Sequence, residues 1–79
     1  MSYDEPRGII ELGNINIKCL IFRINNRGIL EILSTAVTRS EGVHNGVIVN
    51  LTNATQAIRS CISISEKKAK VSLKKINVV

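Results

Sequence analysis

The sequence of 79 residues predicts a mixed α/β unit in the order β-β-β-α-β, a three-stranded antiparallel meander followed by a helical crossover to a further strand. Three observations carry that expectation. Apolar and β-branched residues between Ile9 and Val37 alternate with a period near two, broken only at Gly13-Asn14 and at Asn25-Asn26-Arg27-Gly28. Beyond the glycines of Ser40-Glu41-Gly42-Val43-His44-Asn45-Gly46 the period lengthens to about 3.6. The chain then runs into a β-branched stretch, Val71 to Val79.

Each element has a local reason. Residues 1–8 form a polar tail containing Pro6, and Ile9 to Leu12 is a short apolar strand. Asn16 to Ile24 places Lys18, Leu20, Phe22 and Ile24 on one side and Ile17, Cys19, Ile21 and Arg23 on the other, so this strand has apolar content on both faces. Asn25 to Gly28 reads as a turn because Asn and Gly tolerate the positive φ of tight hairpins. Ile29 to Val37 is the partner strand.

The glycine segment hands the meander over to a helix. Gly42 and Gly46 suit two cramped bends, and Val47, Ile48 and Val49 are expected to feed the core. Asn50 is the expected N-cap, its side-chain oxygen able to accept an amide of the first turn. Leu51, Ala54, Ile58, Cys61, Ile62 and Ala69 form the apolar stripe, with Gln56, Arg59, Ser63 and Lys67 away from it. Cys61-Ile62-Ser63-Ile64-Ser65 alternates like a strand, but the stripe continues through it into Glu66-Lys67-Lys68-Ala69-Lys70, which favours helix. Val71 to Val79 supplies the last strand.

Composition limits the function classes. A domain of this size buries only roughly 60–65% of its unfolded surface. With one Phe, one Tyr and no Trp the chain offers no base-stacking platform. The net charge of +5 permits an acidic partner without naming one. The run EKKAKVSLKK lacks interleaved aromatics and arginines, and lysines near a helix C-terminus complement its dipole, so it reads as a solvated face and no nucleic-acid partner is expected. Cys19 and Cys61 stand apart from any CxxC or histidine at ligand spacing. Zinc is not expected, and buried thiols in a reducing cytosol are. The first residues have no signal-peptide pattern and no apolar run approaches the ~20 residues of a membrane span. A cytoplasmic chain is expected, in which the sequons at Asn50 and Asn53 carry no meaning. No internal repeat or low-complexity linker is present.

One local pattern could do chemistry. Ile10-Glu11-Leu12-Gly13-Asn14 sets an acidic residue at a strand end before a Gly-containing turn. Successive backbone N–H groups of such a turn can hold a phosphate, and the carboxylate can hold a cation or position water. A glycine in any β-turn gives the same pattern. His44 has no nearby acid or Cys with which to form a triad and reads as a solvated loop residue.

Ser40-Glu41-Gly42-Val43-His44-Asn45-Gly46-Val47-Ile48-Val49-Asn50 resembles the S-x-G-[IV]-x-x-G-x-[IV]-x-[DN] segment of FtsA, the bacterial actin-like cell-division family. Ala57-Ile58-Arg59 and Ser65-Glu66-Lys67-Lys68-Ala69 are similar to the A-I-R and A-E-K-x-A pattern of its following helix, and Ile10-Glu11-Leu12-Gly13 is similar to its first phosphate loop. The resemblance spans about residues 8 to 79. It implies an actin/ribonuclease-H-like topology, with residues 9–79 as part of the first lobe (subdomain 1A) of an actin-like ATPase. It also implies Glu11, Gly13, Asn14, Ile15 and Asn16 as the nucleotide-contacting residues. Asn14, Ile15 and Asn16 stand where the family often has two hydroxyl residues and a Lys, so a backbone nest is what remains.

The complete family binds ATP with magnesium between two lobes, forms filaments, docks FtsZ and attaches to the inner membrane by an amphipathic helix at the division site. The second phosphate loop, the adenosine motif, the FtsZ-docking subdomain and that helix have no counterpart in these residues. The chain is therefore expected to be an N-terminal piece, non-catalytic, binding no nucleotide tightly. Two alternatives stand beside it: a truncated or degenerate product serving as an interaction module, and a related actin-like pilus-assembly protein.

Overall fold

A computed structural model describes residues 5–45 and 47–78. It contains strands β1 (Arg7–Leu12), β2 (Asn16–Ile24), β3 (Leu30–Arg39), β4 (Val43–His44) and β5 (Val47–Ile48), helix α1 (Leu51–Ala69) and strand β6 (Ile76–Val78). The larger sheet has the order β3-β2-β1-β6. β1, β2 and β3 pair antiparallel as consecutive hairpins. β6 returns beside β1 in parallel, Gly8 opposite Ile76. The expected mixed α/β class, a four-stranded sheet with one helix, is what the chain adopts.

One face of the sheet is covered by α1. Ile10, Ile17, Cys19, Ile21 and Ala36 point to it and meet Ala57 and Cys61 of the helix, all of them buried. Small residues let the helix lie close: the Cys61 thiol donates to the carbonyls of Ile17 and Ala36 at 3.5 and 3.6 Å. Burial pushes the Cys19 thiol above its ordinary value, partly offset by its hydrogen bond with Ser65. Both cysteines are free and buried, as the sequence suggests. The buried Ser34 and Ser65 hydroxyls lie 2.7 Å apart, and Ser34 Oγ is 2.8 Å from the Ser65 carbonyl, so neither polar group is left unpaired under the helix.

The opposite face has no helix over it among the described residues. Ile9, Leu20 and Phe22 lie on it half-buried, while Ile32 and Val37 are 61% and 59% exposed. A bulge between Ile21 and Phe22 of the β2–β3 pairing inserts Leu33, which turns inward to the core while Ile32 stays opposite Phe22.

The turns follow their residue chemistry. Asn25 Oδ1 accepts from the amides of Arg27 and Ile29 at 2.9 and 3.0 Å, and Gly28 sits at φ 77°. Asn50 caps the helix, its side chain accepting from Asn53 N at 3.0 Å. The helix stops where Lys70 takes the left-handed conformation at φ 58°, its amide bonded to the Glu66 carbonyl.

Several boundaries depart from the sequence reading. β1 starts at Arg7, inside the expected tail, because Gly8 pairs with Ile21 and Ile76 and lets Leu73 pack against it. The final strand is only Ile76–Val78: after Lys70, the Glu66 carboxylate takes the Leu73 amide at 2.7 Å and holds residues 71–75 in an irregular path. Val47, Ile48 and Val49 do not feed the core. They belong to an unforeseen small hairpin, Val43 opposite Ile48 and His44 opposite Val47, that stands off the main sheet, leaving Val47 and Val49 61% and 67% exposed. Leu51 is likewise 70% exposed, while the rest of the expected stripe faces the core: Ala54 and Cys61 are buried and Ile58, Ile62 and Ala69 pack half-buried against it, joined by buried Ala57 and Ser65.

Candidate functional site

The β1–β2 hairpin gathers Glu11, Gly13, Asn14, Ile15 and Asn16 at one end of the sheet. Leu12 opposite Ile17 is the last ladder pair, and the Gly13 amide donates to the Asn16 carbonyl at 3.0 Å to close the turn. A Cβ on Gly13 would sit 2.6 Å from that carbonyl oxygen, so the tight turn demands glycine although its φ is negative. The tip is tied to the end of β3 by the Ser40 amide, which donates to the Ile15 carbonyl at 2.8 Å. Asn14, Ile15 and Asn16 are exposed, and the apolar Ile15 is 77% so.

Glu11 lies across the ladder from Lys18. Both line a depression of about 250 Å³ on the open sheet face, together with Ile9, Leu20, Thr35 and Val37. Among the described residues no group of three His, Cys, Asp or Glu could hold a metal ion. The side chains at the tip are two neutral amides and one aliphatic group. Attraction for a phosphate would therefore rest on backbone N–H groups, of which the Gly13 donor is already engaged within the turn. For magnesium, Glu11 is the one acidic residue within the five-residue set.

The glycine segment divides between two roles. Gly42 sits at φ 70°, its carbonyl accepting from Val49 N and Asn50 N at 2.8 and 3.1 Å, and its α-carbon lies against the first helical turn. That is the architectural role expected of it. Gly46 lies outside the described residues. His44 is exposed on β4. Sequence reasoning missed Ser40 as an anchor of the hairpin and Lys18 as the neighbour of Glu11. The second was available from strand pairing across the Gly13 turn, whereas the first depends on a contact 25 residues away.

The fold has a counterpart in a solved structure. The chain matches diol dehydratase-reactivating factor in its nucleotide-free form with a TM-score of 0.75, over 94% of this chain and 12% of that one, at 16% identity. That likeness is one of fold. In sequence, the chain is 36% identical over 69 residues to the cell division protein FtsA of Streptococcus pneumoniae serotype 2 (strain D39 / NCTC 7466), covering 87% of this chain. It spans 15% of that protein's length. No protein-family model matches the chain. The similarity suggested by the glycine segment and the helix is thus a partial similarity to FtsA carried on a mixed α/β fold. Among the described residues no helix is long and apolar enough to cross a membrane.

Proposed function

We propose that the chain is the opening unit of the first lobe of an FtsA-type cell-division protein and acts by scaffolding rather than by turnover of a substrate. The observation that carries this reading is 36% identity over 69 residues, on a chain with a four-stranded sheet and one helix; in this reading the β1–β2 hairpin stands for the family's first phosphate loop. In a complete protein this hairpin faces ATP and magnesium in an interlobe cleft. Filament formation, FtsZ docking and attachment to the cytoplasmic face of the inner membrane belong to regions beyond these residues.

The neutral, Ile15-tipped hairpin favours a second reading, an interaction module without nucleotide function. A chimera tests the first: the matched segment of pneumococcal FtsA is replaced by residues 8–79 of this chain in a strain depleted of its own copy. Restored septa are expected. A chimera that accumulates to normal levels in cells that still fail to divide would defeat the assignment.

A further inference from the structure

Asn45 stands in the loop of the small hairpin: His44 pairs with Val47, which leaves residues 45 and 46 between them. Asn45 is exposed and left-handed at φ 50°, and no described residue hydrogen-bonds to its side chain. The other asparagines differ. Asn25 holds the amides of Arg27 and Ile29 on its side-chain oxygen, and Asn50 holds that of Asn53. Asn14, Asn26 and Asn53 precede Ile15, Arg27 and Ala54, and in this chain glycine follows asparagine only at Asn45. A residue with no Cβ leaves its main-chain nitrogen open to close approach.

We propose that Asn45 is a self-modification site, where the main-chain nitrogen of the next residue displaces the side-chain amide and the product opens the β4–β5 hairpin. Asparagine is a thermolabile side chain, and the balance of the step is simple. The nitrogen of residue 46 attacks Asn45 Cγ and the Cγ–Nδ2 bond breaks. Nδ2 leaves as ammonia, carrying the proton that the main-chain amide gives up. Water then opens the resulting succinimide. Addition at Cγ yields aspartate, whereas addition at the Asn45 main-chain carbonyl yields isoaspartate, in which the backbone runs through Cβ and Cγ.

The isoaspartate inserts an extra backbone carbon into the hairpin loop. Loop length sets hairpin register, so the pairing of Val43 with Ile48 and of His44 with Val47 is lost. The change stays local. The bonds from Val49 N and Asn50 N to Gly42 O lie outside the altered loop, and Asn50 still caps the helix. A new carboxylate also appears beside His44, which lowers the net charge by one.

Ageing the folded chain in neutral and mildly alkaline buffer, beside Asn45→Gln and freshly prepared Asn45→Asp, tests this. Peptide mapping and methylation by an isoaspartyl O-methyltransferase read the product. Isoaspartate is expected at position 45, faster as hydroxide rises, and is lost in Asn45→Gln, whose longer arm closes the ring poorly. The aged form, separated by ion exchange, should keep the unaged circular dichroism and lose amide-exchange protection only in the hairpin. Asn45→Asp, which carries the charge on a normal backbone, should keep that protection. Ageing that leaves Asn45 intact or falls equally on Asn26 or Asn53 overturns the proposal, as does an aged hairpin that stays protected or an Asn45→Asp hairpin that opens.

Discussion

Replacing Gly42 and Gly28 by alanine separates two costs that a positive φ usually confounds. Both residues are left-handed, at φ 70° and 77°. A Cβ on Gly28 would meet nothing within 4 Å. Gly28→Ala therefore pays only the backbone penalty of about 1–2 kcal/mol, reduced by the lower entropy of the unfolded alanine chain, for a net loss near 1 kcal/mol. A Cβ on Gly42 would collide with the Asn50 carbonyl oxygen and lie 2.9 Å from Ala54 N. Those atoms are helix backbone and cannot rotate away. Relief requires the first helical turn to move, which weakens the bonds from Val49 N and Asn50 N to Gly42 O and disturbs the Asn50 cap. Two hydrogen bonds and a cap together are worth about 2–3 kcal/mol, so Gly42→Ala should lose about 3–4 kcal/mol in all. For a chain of this length whose total stability is roughly 4–12 kcal/mol, that is a large fraction. Urea melts at a slope of about 1 kcal/mol/M should show midpoints lowered by about 1 M in Gly28→Ala and about 3 M, or no folded baseline, in Gly42→Ala. Equal losses in the two variants would refute the steric argument.

Mg-ATP should bind the chain no more tightly than about millimolar, roughly 4 kcal/mol, because one hairpin supplies a few backbone donors and no opposing lobe; micromolar heats in calorimetry would contradict this. Bridging by Asn25 and Arg23 at 3.0 and 3.2 Å holds the Glu31 carboxyl below its ordinary 4.5, so its stabilising contribution is complete above that pH and is lost as pH falls through the lower folded value. An NMR titration midpoint for Glu31 at or above 4.5 would reverse that sign, and Glu31→Gln should remove this share of the acid sensitivity. If Lys67, Lys68, Lys70, Lys74 and Lys75 are a solvated face, binding to DNA or anionic vesicles should vanish at physiological salt, and sequence-preferring retention there would expose a different partner class. The uncovered sheet face should make the chain bind a hydrophobic dye in native buffer, and a dye-silent, monodisperse monomer with a cooperative melt would show that the face needs no cover.

What could be read from the sequence was whatever local periodicity or side-chain chemistry enforces. The Asn50 cap and the helix through Cys61–Ser65 were legible because a side-chain acceptor and a continuing apolar stripe are short-range signals. The burial of Ser65 and the exposure of Leu51 were not. Ser65 is buried because Ser34, 31 residues away, completes its hydrogen bonding, while apolar Leu51 is left outside. The β4–β5 hairpin was not expected at all: the glycine segment was read as two bends and the following apolar triplet as core, whereas Val43 pairs with Ile48 and Asn45 takes φ 50° just after His44. The last strand was overextended because composition cannot show a Glu66 carboxylate capturing the Leu73 amide. At the candidate site the five residues are gathered by one hairpin and so were legible together. The Ser40 tether was invisible for the reason Ser65 was.

The parallel pairing of β6 with β1 has a consequence for synthesis. Residues 8–10 receive their second neighbour only from residues 76–78. On the ribosome the β1–β3 meander can be complete when Arg39 has cleared the exit tunnel, yet the inner edge of β1 stays open while about 40 further residues emerge, roughly 2–8 s at ordinary elongation rates. During that interval a central strand behaves as a border strand, and nascent chains on neighbouring ribosomes present the same unfilled slot.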